Sequence, residues 1–234
     1  MQILVNHLTR MQPGRICFAG IDLGSGRHIR PVARTPLTTD LLESNGGPLS
    51  LGRVIDLGDS EFCGTVPEIE DRLCQPEQFQ VIRSAPPAEL HQVCLTAVEH
   101  RLQEIFGSQL LWIQHGPGQP GTAAVDQLQG IRSLGCYWAA QADLQIIKAG
   151  EKCKVRLSFQ AGPRQFRVPV TDIRCYLADH RTPDVARINQ LQQEMTDQPK
   201  TLVAVGLSRA YHNSADTPPR HWLQVNNIYP EAAP

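Results

Sequence analysis

Nine side chains carry groups that suit an anionic or planar ligand: His7, Thr9, Arg10, Arg27, His28, Arg30, Arg209, His221 and Trp222. Arginine forks and other polar donors match phosphate or carboxylate oxygens, while Trp222, His221 and the nearby Tyr211 offer rings on which a base can stack. The first three leave an apolar run at Ile3-Leu4-Val5, the next three lie on the following hairpin, and Arg209 follows the apolar run Leu202 to Leu207. The plainer reading is that these arginines pair with Asp22, Asp56 or Asp172 and only fasten loops. A continuous positive groove joining Arg27, Arg30 and Arg209 would favour a nucleic-acid surface, and salt-bridged arginines would count against it.

A second group is acidic. Glu68, Glu70 and Asp71 could hold a divalent ion for phosphodiester cleavage, although such clusters more often complement a helix dipole or sit in a solvated loop. No other catalytic arrangement is visible: the sequence has no HExxH, GxSxG or Walker-type loop, and none of its eight histidines is spaced i,i+4 on a helix. Seven scattered cysteines without a CxxC pair read as reduced thiols in the core, with neither a disulfide framework nor a zinc site. No catalytic residue, metal ligand or cofactor is assigned.

The elements that must position these residues are mostly strands. Side chains alternate along a strand, so His28 and Arg30 share one face and Ile29 takes the other. Asp22 to Gly26 reads as the hairpin loop before them, and Pro31 marks an end or an edge. Thr38 to Leu42 reads as a short capped helix and Leu51 to Leu57 as a strand. One long helix is expected over 87–106, with an apolar stripe through Leu90, Cys94, Ala97, Leu102 and Ile105. Gly116 to Gly121 reads as a linker or exposed loop. Four strand-like runs follow, at 135–138, 143–148, 153–159 and 165–170, then a helix over 183–196 and strands from Leu202 and Trp222. Short strands at this density predict barrels or sandwiches, not a doubly wound sheet.

Net charge is −1, so nucleic acid would need a local patch and not a global field. No apolar run reaches the ~18–20 residues that span a bilayer, and the N-terminus lacks a signal-peptide pattern. The expectation is a cytoplasmic protein with no membrane partner.

Several segments together resemble the dual OB-containing domain family of prokaryotes: His7-Leu8-Thr9-Arg10-Met11, Ile16 to Asp22, Arg27 to Val32, Asn45-Gly46-Gly47-Pro48, Pro67 to Asp71 and His221 to Ile228. They span nearly the whole chain and are sparsest over 74–130. The resemblance implies a mainly β fold with a few helices, built as two tandem OB-like β-barrels: 1–108, including a connecting helix 87–106, and 109–234, including helix 183–196. It also implies a nucleic-acid-sensing role beside bacterial conflict or defence genes, with no defined active site to transfer. OB barrels bind on the face of their second and third strands, which would put Arg27 and His28 at the edge of a groove in the first barrel, with Arg30 on the same side.

The leading expectation is therefore a non-enzymatic binding module for nucleic acid or a nucleotide. The alternative is a protein-interaction or scaffold subunit of a larger complex. A metal-dependent nuclease centred on Glu68, Glu70 and Asp71 ranks third.

Overall fold

The computed structural model describes residues 1–114, 116–150, 152–212 and 218–230. Two curled, mainly antiparallel sheets dominate it, as the strand-rich sequence predicts. The first begins with a meander of β1 (Gln2–Arg10), β2 (Ile16–Asp22) and β3 (His28–Val32). β4 (Arg53–Asp56) then returns beside β1, and β6 (Asp71–Cys74) runs parallel to β3. The short strands β5 (Ser60–Phe62) and β7 (Gln80–Ser84) form the two edges. The meander turns on Gly26, whose φ of 70° a side chain would oppose, and on Asp22, whose carboxylate accepts the Ser25 N–H at 3.0 Å.

The second sheet opens on the same motif, a three-stranded meander with a further strand beside its first. β11 (Leu134–Ala149), β12 (Lys152–Ala161) and β13 (Arg164–Pro169) form a meander, α3 (Val185–Thr196) follows, and β14 (Lys200–Leu207) and β15 (Arg220–Tyr229) complete the ring. β14 pairs with both β11 and β15, and Val170, just past β13, bridges Val225 in parallel. This is the five-stranded OB arrangement, with a helix between the third and fourth strands. β9 (Leu111–Ile113) and β10 (Thr122–Asp126) add a hairpin to β15.

Several expectations change. The single helix over 87–106 is broken into α1 (Pro87–Thr96), the two-residue strand β8 (Val98–Glu99) and α2 (Leu102–Phe106). β8 pairs in parallel with β11, and the Glu104 carboxylate accepts the His100 and Arg101 N–H groups at 3.1 Å each to start α2. The break lets Ile105 and Phe106 bury completely in the second barrel's core. Each such burial contributes about 1.5–3 kcal/mol, whereas breaking the helix forfeits only about 0.7 kcal/mol or less of propensity per ordinary residue.

The two runs at 135–138 and 143–148 are one strand, β11, bent at a bulge between Ala140 and Asp143. Thr38 to Leu42 forms only tight 3₁₀ turns. The Gly116 to Gly121 stretch joins two hydrogen-bonded strands and so is a hairpin loop. β3 lies between β2 and β6, not at an edge, but its pairing with β2 ends at Ile29, before the missing N–H of Pro31. Cys74, Cys94, Cys136 and Cys175 are buried thiols as expected, whereas Cys63 and Cys153 are exposed.

The barrels meet where β1 loses its neighbour. β4 covers only Gln2 to Leu4, leaving the outer half of β1 as a bare edge. The second barrel fills it: the Leu8 N–H donates to Asn227 Oδ1 at 2.8 Å, Asn227 Nδ2 donates to the Leu8 carbonyl at 3.4 Å, and the Arg10 N–H donates to the Thr171 carbonyl at 3.0 Å. Asn227→Ala should therefore lower stability by about 1–3 kcal/mol, because it strips buried main-chain groups of their partner; a urea midpoint shift at unchanged m-value measures it.

Candidate functional site

In the first barrel, Ile3, Val5, Leu8, Ile16, Phe18 and Ile29 point into the core. The alternate positions of β1 to β3 therefore form the outer face, the one on which an OB barrel is expected to bind. A bulge between Val5 and His7 adds a residue, so Asn6 joins His7, Thr9, His28 and Arg30 on that face. All five are at most 8% exposed, because the second barrel covers them.

Charges at this seam are matched. Arg30 Nε lies 2.5 Å from Asp71 Oδ1, and Arg209, from the second barrel, reaches Glu68 Oε1 at 2.9 Å and Asp71 Oδ2 at 2.7 Å. His221 Nδ1 sits 2.9 Å from the Ser208 carbonyl and 3.7 Å from Glu68. Glu70 accepts from Ser133 N and Oγ at 2.8 Å and from Leu134 N at 3.0 Å. The acidic trio thus clasps the second barrel, its oxygens engaged by guanidinium groups, N–H donors and a hydroxyl. Among the described residues no group of three His, Cys, Asp or Glu is placed to hold a metal ion.

This corrects the partners expected for the arginines. Asp22, Asp56 and Asp172 serve Ser25, the N-terminal ammonium and Arg174. Arg30 and Arg209 are salt-bridged to Glu68 and Asp71, and Arg27 stands apart, so the three do not form a continuous positive groove. Arg27 borders a separate cavity of about 610 Å³ with Arg72 and Arg132. The structure does bring His7, Thr9, Arg10, Arg30 and Arg209 around one cavity of about 350 Å³ at the seam. Arg10 also donates to the His180 carbonyl at 2.8 Å and lies 4.0 Å from the Tyr176 ring centre. His221 stays with the charge cluster, and Trp222 faces away from the seam cavity into another cleft.

That cleft, of about 340 Å³, lies on the second and third strands of the second barrel. Val155, Leu157, Phe166 and Val168 enter the core, which turns Arg156 and Arg167 outward. Among the described residues neither guanidinium has a carboxylate partner; Arg167 Nε donates to Ser158 Oγ at 3.2 Å. Burial pulls the Arg156 pKa below its ordinary value, and the neighbouring Arg167 pushes the same way against the opposing influence of Tyr176 and Tyr211. Tyr211, on the β14–β15 connection, and Trp222 close the cleft with ring centres 6.2 Å apart, and the buried Trp222 Nε1 lacks a hydrogen-bond partner among the described residues. Arg156 and Arg167 are not among the nine residues singled out in the sequence. The signal for them is the polar–apolar alternation of 154–159, which by itself turns Arg156 outward.

The seam histidines should make stability depend on pH. Burial lowers the His28 pKa to about 3, with Arg132 adding to the effect; burial, His28 and Arg30 hold His7 well below its ordinary value. Both rings are neutral when folded, so below about pH 6.5 the unfolded chain binds more protons and stability falls as pH falls. Between pH 6.5 and 5 the loss from His28 should be on the order of 2 kcal/mol, and His7 adds to it in the same direction. Glu70, raised by burial, works in the opposite sense: its contribution is lost as pH rises through its folded pKa. His28→Gln keeps an acceptor for Asn6 and should flatten the pH dependence in urea titrations at pH 7 and 5; an unchanged slope would show that folded His28 takes up protons in this range as the unfolded chain does.

The whole arrangement, two curled OB-like sheets with the outer face of the first meander covered and that of the second open, agrees with a comparison of the sequence with known families. The family model described as Dual OB-containing domain matches residues 1–228. No curated protein and no solved structure matches the chain. The protein belongs to the dual OB-containing domain family.

Proposed function

We propose that this protein is a non-enzymatic binding module that takes single-stranded nucleic acid or a nucleotide on the open face of its second barrel. The observation that carries this reading is the pair Arg156 and Arg167, two guanidinium groups without carboxylate partners among the described residues, on the strands where OB barrels bind. Phosphate oxygens would complete them, while the half-exposed Tyr211 ring supplies a stacking surface beside them. The site proposed from sequence is thereby moved. His7, Thr9, His28, Arg30 and His221 lie under the second barrel, and Trp222 is the residue of that set that borders the open cleft. A role in a bacterial conflict or defence system, in the cytoplasm, is the setting we assign to such a module.

A scaffold role is the second reading, and one observation favours it. All five residues of the edge strand β7 are exposed, including Val81 and Ile82, which suits strand addition by a protein partner. Among the described residues no helix is long and apolar enough to cross a membrane.

Fluorescence anisotropy with short labelled DNA and RNA strands across a salt series tests the leading reading. Arg156→Ala with Arg167→Ala should weaken binding and flatten the plot of log K against log salt by about 1.4, the contribution of two phosphates on a single strand. Tyr211→Ala should cost about 1–3 kcal/mol with little change of slope. Undetectable binding of DNA, RNA and nucleotides at low salt, or full affinity in the double-arginine variant, would refute this assignment.

A further inference from the structure

We propose that the seam cavity between the barrels is a second binding site, for a small molecule with an apolar body and one carboxylate, held by His7 and Arg30. It is separate from the cleft of Arg156 and Arg167 and does not depend on what that cleft binds. The cavity holds about 350 Å³, within the size of ordinary small-ligand pockets.

Its polar lining has unmet demands of one kind. Among the described residues His7, 1% exposed, has no hydrogen-bond partner at Nε2; Arg30, 5% exposed, makes no hydrogen bond from Nη2, which lies 4.0 Å from Glu68 Oε1; and Arg10 Nε is likewise buried without one. Buried polar groups are nearly always satisfied, so three such atoms around one cavity call for an explanation.

All three are donors. The Asn226 amide is oriented by its neighbours: its Oδ1 accepts from Thr171 Oγ1 at 3.2 Å and from Gln224 Nε2 at 3.0 Å. Its NH₂ group therefore faces His7 Nδ1, 3.0 Å away. With Nδ1 accepting, the neutral ring carries its proton on Nε2. The guanidinium nitrogens of Arg30 and Arg10 can only donate.

The charge balance points the same way. Arg30 and Arg209 are offset by Glu68 and Asp71, whereas Arg10 has no carboxylate within ion-pair distance among the described residues. The lining is left one positive charge in excess, which matches a monoanion. Phe18, Ala19, Leu134 and Leu207 supply apolar wall, so a bare inorganic anion would leave most of the surface unused. A planar carboxylate on a hydrocarbon or aromatic body meets both demands.

Calorimetric titration of the whole chain with benzoate and with hexanoate tests this, with benzyl alcohol, hexanol and inorganic phosphate as controls. The expected result is saturable one-to-one binding of at least one carboxylate, with its alcohol weaker by about tenfold or more, since a hydroxyl carries no charge to offset the excess cation. His7→Phe keeps a flat aromatic ring but removes the Nε2 donor, along with the Nδ1 acceptor of Asn226, and should weaken carboxylate binding by about tenfold. Ala19→Leu, which fills the cavity, serves as a second variant should His7→Phe not fold, and should abolish binding. Arg156→Ala with Arg167→Ala should leave carboxylate affinity unchanged, which separates this site from the nucleic-acid reading. No saturable binding of either carboxylate, equal affinity for the alcohols, phosphate binding as tight as the carboxylates, or full affinity in a folded variant at position 7 or 19 would overturn it.

Discussion

Arg30, Asp71, Arg209 and Glu68 form the contact on which the arrangement of the two barrels depends. Taking charges out of water costs several kcal/mol per ion, and Arg30 and Asp71 are each 5% exposed. The cost is tolerable because the cluster is electrically balanced: two guanidinium groups face two carboxylates at 2.5–2.9 Å. One of the four, Arg209, comes from a segment more than a hundred residues away. Neither barrel alone can neutralise this face, so the covered polar surface and the docking of the second barrel require each other. Glu70 extends the same logic by using its carboxylate to satisfy two main-chain N–H groups at the start of β11.

The two barrels share a meander with a further strand beside its first, and they differ in what covers them. In the first, the outer face of β1 to β3 lies against the second barrel, and polar groups that would meet a ligand meet Asn226, Asn227 and Arg209 instead. In the second, the equivalent face remains open and carries arginines without acidic partners among the described residues. With the function proposed above, the two barrels divide their labour, one outer face serving association and the other left for binding. The bare edge of β1 beyond Leu4 adds a geometric reason for this choice, because Asn227 and Thr171 supply the main-chain partners that edge would lack.

Between these surfaces the segment 207–211 has neighbours on both sides. Leu207 to Tyr211 borders the seam cavity, and Tyr211 also closes the cleft of Arg156 and Arg167. Arg209 in the same segment is anchored to Glu68 and Asp71. A short stretch of chain therefore carries an interface ion pair, a cavity wall and a stacking ring, which puts it in contact with the ion cluster, the seam cavity and the open cleft alike.

Much of the local structure was legible in the sequence, because it depends on near neighbours. Gly26 and Gly162 mark turns by their freedom at positive φ, Pro87 and Gly107 mark the outer limits of the helical region, and alternation told which face His28, Arg30 and Arg156 take. The family resemblance added the tandem barrels. What a face meets was not legible. Nothing near His28 or Arg30 announces that their face is covered, and nothing near Arg30 names Asp71 or Arg209 as its partners. The helix over 87–106 shows the same limit: its stripe is continuous in sequence, yet pairing of Val98 with Cys136 and burial of Phe106 in a distant core outweigh a propensity worth a fraction of a kcal/mol per residue. Conformation over a few residues is set by local sterics and periodicity, whereas burial and charge pairing are set by residues that only the folded chain brings within a few ångströms.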